Sequence, residues 1–114
     1  MLAFRALLLI LLVTVVVYTI PVVLNHGINL LPVFFGDMMK MAWPGQFNLD
    51  FLGFLTLSAV WTMWRNNFAP GGIGLGVLAF FFGIPFLTTY LLILSYRTNG
   101  DMKEIMLGAD RAAS

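Results

Sequence analysis

The spacing of charge constrains this chain more than any other feature. Its charged residues are Arg5, Asp37, Lys40, Asp50, Arg65, Arg97, Asp101, Lys103, Glu104, Asp110 and Arg111. Positions 6–36 form a run of 31 uncharged residues, positions 66–96 another 31, and positions 51–64 a run of 14. A helix crossing the roughly 30 Å hydrocarbon core of a bilayer needs about 20 mostly apolar residues. Three spans fit the gaps, at about 2–23, 48–64 and 72–96, with lengths of ~33, ~26 and ~38 Å. The second is marginal and crosses only if the bilayer thins or its flanks reach outward. Apolar residues run continuously rather than alternating, which argues against a β-barrel.

Composition agrees. The 114 residues are 61% hydrophobic and 10% charged, with a mean hydropathy of +0.95. Soluble domains lie near 45–50% apolar and about 25% charged. The expected class is therefore all-α and polytopic, a single membrane domain over residues 1–114. A net charge of +1 provides no field for nucleic acid. The lack of cysteine removes disulfides, thiolate nucleophiles and Cys-ligated metals. The first span follows Arg5 as a signal peptide would, but Tyr18–Leu24 offers no small-residue cleavage pattern, so it reads as a retained anchor.

Between the spans the pattern changes. Pro21 weakens the end of the first span, and Asn25-His26-Gly27 makes a polar exit with Gly27 as C-cap. Residues 28–43 are apolar except for a face carrying Asp37 and Lys40, an i, i+3 pair. This segment is expected to lie in the membrane interface as an amphipathic helix; a fourth span is the rival, opposed by two charges and Pro32. Trp43-Pro44-Gly45-Gln46 reads as a turn, with Asn48 or Asp50 capping the second span. Trp61, Trp64 and Arg65 close it at the other interface. The short stretch 66–71 then predicts an antiparallel hairpin of the second and third spans.

Gly72, Gly76, Ala79 and Gly83 form a stripe of small residues on the third span, suited to close helix packing. Pro85 should kink that span, with the hydroxyls of Thr88, Thr89 and Tyr90 beside the freed carbonyls. The surface tail, 97–114, opens with a capping box in which Asp101 is N-cap and Glu104 lies three residues on. Three spans place the two ends of the chain on opposite sides. Basic residues then divide four to two, and orientation stays undetermined.

Most catalytic chemistry lacks its parts. No charge sits mid-span, as proton relays and ion-coupled carriers require. One histidine excludes HExxH and multi-His metal sites, and Ser58 and Ser95 lie away from His26, which disfavours a triad. Gly74-Leu75-Gly76-Val77-Leu78-Ala79 matches a dinucleotide fingerprint, but no strand precedes it, and helix packing explains it better. No metal site and no cofactor are predicted. The polar side carrying His26, Asn25, Trp43, Gln46, Asn48, Asp37 and Asp50 is the candidate ligand site. An imidazole oriented by a carboxylate can hold a quinone carbonyl. Its competing explanation is a wet helix end, an Asp37–Lys40 pair and a capping Asp50. Phe80, Phe81, Phe82 and Phe86, with Phe51, Phe54 and Trp61, are a second candidate, lining a groove for an isoprenoid or acyl chain.

Trp43-Pro44-Gly45-Gln46-Phe47-Asn48-Leu49-Asp50-Phe51, Leu57-Ser58-Ala59-Val60-Trp61 and Gly83-Ile84-Pro85-Phe86-Leu87-Thr88-Thr89-Tyr90-Leu91 together resemble small bacterial inner-membrane proteins catalogued as a domain of unknown function. The resemblance covers most of the chain and rests on short hydrophobic motifs, in which Asp50, Gly83 and Pro85 match by position. It implies a three-helix fold and a bacterial inner membrane, and it carries no activity. The leading expectation is a non-catalytic accessory or structural subunit, packed by its Gly/Ala stripe against itself or larger membrane-protein subunits and bathed in membrane lipids. The alternative is a binding module for a quinone, carotenoid or lipid. A third is an oligomeric channel or carrier lined by Thr56, Ser58, Thr62, Thr88 and Thr89.

Overall fold

The computed structural model describes residues 1–113. It is all-α, with no strand among the described residues: α1 Leu2–His26, α2 Leu31–Met39, α3 Trp43–Arg65, α4 Pro70–Phe82, α5 Ile84–Arg97, α6 Met102–Leu107 and α7 Ala109–Ala112. Among the described residues, α1 alone is long and apolar enough to cross a membrane by itself. The expectation of three such helices is not met. Each of α4 and α5 is short, and α3 carries Gln46, Asn48, Asp50 and all three tryptophans.

α1 runs through Pro21 instead of ending there. Proline removes only its own N–H bond, and the apolar residues after it continue the helix to Gly27. There φ turns to 78° and the backbone N–H donates to the Val23 carbonyl at 2.8 Å. The hydroxyls of Thr14 and Thr19 donate to the carbonyls of Ile10 and Val15, both at 2.6 Å, so they add little polarity to the helix surface. The segment expected over 28–43 contracts to α2, with Pro32 in its first turn and the Lys40–Asp37 ion pair at 3.8 Å.

α3 begins five residues before the expected position. Trp43-Pro44-Gly45-Gln46 is its opening turn, because proline is tolerated where the helical N–H has no partner. Its N-cap is Ala42, with no side-chain cap bond, so Asn48 and Asp50 lie inside the helix and cap nothing. The resulting 23 residues span ~34 Å. Gly45 is buried where α3 crosses α2; a Cβ there would collide with the Asp37 carbonyl oxygen. Asn48 Nδ2 donates across the same contact to the Phe34 carbonyl at 3.1 Å.

The expected third span is two helices that double back on each other. Gly83 has φ 58° and ψ −131°, a conformation close to glycine-only territory, and Pro85 falls in the first turn of α5 instead of mid-helix. The reversal follows from contacts at the far ends. Asn66 Nδ2 donates to the Tyr90 hydroxyl at 2.9 Å, and Asn66 Cβ lies 2.5 Å from where a Gly72 Cβ would stand. In one continuous rod, residues 72 and 90 would be ~27 Å apart. Gly83 itself faces Phe51 and Leu55, well short of the start of α3.

The reversal gathers the start of α1, the end of α3, the end of α5 and the tail at one end of the molecule. Arg5 of α1 reaches Ser95 of α5, and Met1 lies against Gly100. The expectation that the two ends of the chain lie on opposite sides is therefore corrected. The tail is a packed element. Asp101 caps α6 as expected, accepting from the Lys103 and Glu104 amides, and Ile105 is fully buried.

Gly72, Gly76 and Ala79 are buried against α3, so the small-residue stripe is consumed inside the chain. A Cβ on Gly76 would sit 2.5 Å from Met63 Cγ and Cε and 3.1 Å from the Ala59 carbonyl. Gly76→Leu is expected to destabilise the monomer itself by about 1–3 kcal/mol. Thermal unfolding in detergent, followed by circular dichroism, checks this; an unchanged midpoint would contradict the packing described.

Candidate functional site

Of the four arginines at the gathered end, Arg5, Arg65 and Arg111 are spent on the fold. Arg5 donates from Nε to Ser95 Oγ at 3.0 Å and from Nη2 to the Ser95 carbonyl at 2.9 Å, with its guanidinium 4.0 Å from the Tyr96 ring centroid. Arg65 donates from Nε to the Ile105 carbonyl at 2.6 Å and from Nη2 to the Glu104 carbonyl at 3.2 Å. Arg111 reaches back to the Trp64 carbonyl and stacks on the Trp64 ring at 3.9 Å. Trp61 Nε1 adds a bond to the Met106 carbonyl at 3.0 Å. Helix ends leave carbonyls without intrahelical donors; Arg65 and Trp61 supply those of Ile105 and Met106, while the Ser95, Trp64 and Glu104 carbonyls accept from a backbone amide as well. This end is built to hold the tail.

The opposite end carries the expected polar site, and the structure does not join its members. Asn25 and His26 end α1, and both are exposed. Asp50 is exposed on α3, eight positions into the helix. Among the described residues, no hydrogen bond or ion pair links any two of His26, Asn25, Trp43, Gln46 and Asp50. Trp43 and Gln46 do share a groove of about 540 Å³ between α2 and α3, with Met38, Met41 and Leu49. The elements explain the dispersal: the end of α1 lies beside Pro85 of α5, α2 packs on α3, and α3 starts early enough to carry Asp50 onto its flank.

The aromatic candidates divide between two faces of α5. Phe51, Phe54 and Trp61 line a groove of about 460 Å³ that Leu57, Ser58, Gly83, Ile84 and Leu87 complete. Phe82 and Phe86 lie on the far side, in a shallower groove of about 350 Å³ with Tyr90 and Ile93. Phe86 stacks on Tyr90 at 5.6 Å between centroids, and Trp61 meets Tyr90 edge-on at 6.1 Å. Tyr90 joins α5 to the end of α3, a role its position beside an expected kink did not announce.

Four of the five channel-lining candidates are turned to local use, Ser58 being the exception. Thr56, Thr62, Thr88 and Thr89 each donate to the carbonyl four residues back. Among the described residues no group of three or more His, Asp or Glu is placed to hold a metal ion. No protein-family model, curated protein or solved structure matches the chain.

Arg65→Lys is expected to loosen the tail, because an ammonium cannot reproduce the two-carbonyl fork of a guanidinium. Limited trypsin digestion at Lys103 should speed by about tenfold, consistent with losing one charged hydrogen bond. Cleavage at the wild-type rate would show that Arg65 does not hold the tail.

Proposed function

We propose that this chain is a small, non-catalytic integral membrane protein of the bacterial inner membrane that serves as an accessory or structural subunit of a larger or homo-oligomeric complex. In this reading α1 and α3 cross the bilayer, while α4 and α5 dip in and return. Trp43 and Trp64 support the placement of α3: they stand 21 positions apart, ~32 Å along a helix. That matches the roughly 30 Å hydrocarbon core, and tryptophan favours both of its boundaries. α3 is thus long enough to span without the thinning that a 48–64 helix would require.

Gathering both ends of the chain also bears on orientation. Arg5, Arg65, Arg97, Lys103 and Arg111 share one end, leaving Lys40 at the other. By the positive-inside rule, the gathered end is cytoplasmic. The chain has no cysteine, so single reporters are clean. Lys103→Cys is expected to react with an impermeant maleimide only in inverted vesicles, and Asn25→Cys only in intact spheroplasts. The reverse pattern, or both labelled from one side, would overturn the arrangement.

Asp50 carries the proposal of a partner. It lies seven positions from Trp43, ~10 Å along the helix, and so inside the hydrocarbon of this placement. It is exposed and has no partner among the described residues. Ionisable groups inside membranes face protein or water, not lipid. A neighbouring chain that supplies a donor or cation resolves the conflict. The Gly/Ala stripe no longer supports assembly, because α3 already covers it. Asp50→Leu is expected to reduce co-purification of the partner, or the homo-oligomer, at least about tenfold in mild detergent. Unchanged partner recovery and particle size would reject this reading.

A further inference from the structure

The turn between α2 and α3 holds the densest concentration of soft donors in the chain. Met38, Met39 and Met41 are three of its seven methionines and fall within four positions. With no cysteine present, thioether sulfur is the only soft ligand the sequence offers. Two of the three share a groove of about 540 Å³ where α2 crosses α3. Met38 and Met41 line it with Trp43, Gln46 and Leu49, and Met39 does not.

The crossing fixes these residues beside one another. A Cβ on Gly45 would stand 2.7 Å from Met38 Cα, so only glycine lets the end of α2 come this close to the first turn of α3. Asn48 Nδ2 fastens the same crossing through the Phe34 carbonyl. Met41 has a left-handed backbone, φ 54°, and its amide donates to the Met38 carbonyl at 3.2 Å. That conformation is costly for a residue with a side chain, and here it closes the turn that keeps residue 41 next to residue 38.

We infer that this groove binds a monovalent soft metal cation, Cu(I) or Ag(I), through the thioethers of Met38 and Met41 beside the Trp43 ring. Three features select this chemistry. Thioethers are neutral, polarisable donors that favour Cu(I), whereas Mg²⁺ and Ca²⁺ require oxygen ligands. No charged residue lines the groove, and the adjacent Lys40 is paired with Asp37. A dication or an anion would thus enter without a counter-charge, and a single positive charge asks least of such a site. Lastly, the Trp43 side chain is exposed, and an indole face attracts a cation. Methionine has three rotatable bonds with which to close around an ion. An acyl chain could fill the same groove, but without regard to sulfur, so leucine in place of either methionine separates the two occupants. The inference requires neither the membrane placement nor the partner proposed above.

The test uses the full chain in detergent micelles and chloride-free buffer, titrated with silver nitrate and followed by tryptophan fluorescence. Saturable quenching is expected, with Trp43 as the reporter. Trp61 and Trp64 stand at least 18 positions away, ~27 Å along α3. Met38→Leu and Met41→Leu should each weaken Ag(I) binding at least about tenfold, no less than the loss of an outer-shell group does. Met39→Leu should bind as the wild type does, and Zn²⁺ should not compete. Leucine conserves the volume of methionine, so both groove variants should keep their helical circular dichroism; if one does not, the other decides. Absence of saturation in the wild type, wild-type affinity in either folded groove variant, an equal loss in Met39→Leu, or displacement of Ag(I) by Zn²⁺ would each overturn the inference.

Discussion

A helix that reverses direction must leave amides and carbonyls without intrahelical partners, and α4 and α5 do so at a single residue. Gly83 accepts the backbone angles of the reversal because it has no Cβ, and Phe51 and Leu55 close against it. Among the described residues, two backbone bonds flank the turn, from the Gly83 amide to Ala79 and from the Leu87 amide to Gly83. Everything at the gathered end depends on this reversal. Tyr90 meets Asn66 because α5 returns, Arg5 meets Ser95 because α1 lies along the returning helix, and α6 reaches Arg65 because α5 ends beside it.

The arginines show how such a small chain builds a core. Few large side chains are buried; Ile105, Thr62, Thr88 and Ser95 are the largest that are fully so. Apolar burial therefore contributes little cohesion at this end, and hydrogen bonds to helix-terminal carbonyls supply specificity. Arg65 alone links α3 to two carbonyls of α6. In the proposed membrane arrangement these guanidinium groups lie at the interface, where their heads stay hydrated and their stems remain among apolar groups. A residue that reads as a topology signal thus also serves as a structural clamp.

Asp50 is an exposed carboxylate on α3. In the proposed membrane placement it lies at a depth where lipid offers no partner, which points outward to another chain.

Much of the fold was legible from local rules. The charge gaps placed an apolar helix after Arg5, Gly27 and Asp101 marked helix ends, and the spacing of Asp37 and Lys40 predicted their pair. Local rules failed where one signal had two structural uses. Pro44 and Pro85 are compatible with a turn, a kink or a first helical turn, and in both cases the first turn won. The sequence by itself determined that the chain is helical and where its charges and small residues fall, because helix periodicity and burial cost act residue by residue. Only the tertiary structure decided that α4 and α5 fold back, that the Gly/Ala stripe is spent on α3, and that the Ser58 hydroxyl is buried. Those outcomes depend on whether Tyr90, Asn66, Arg65 and Ile105, far apart in sequence, find one another, and no local propensity encodes that contact.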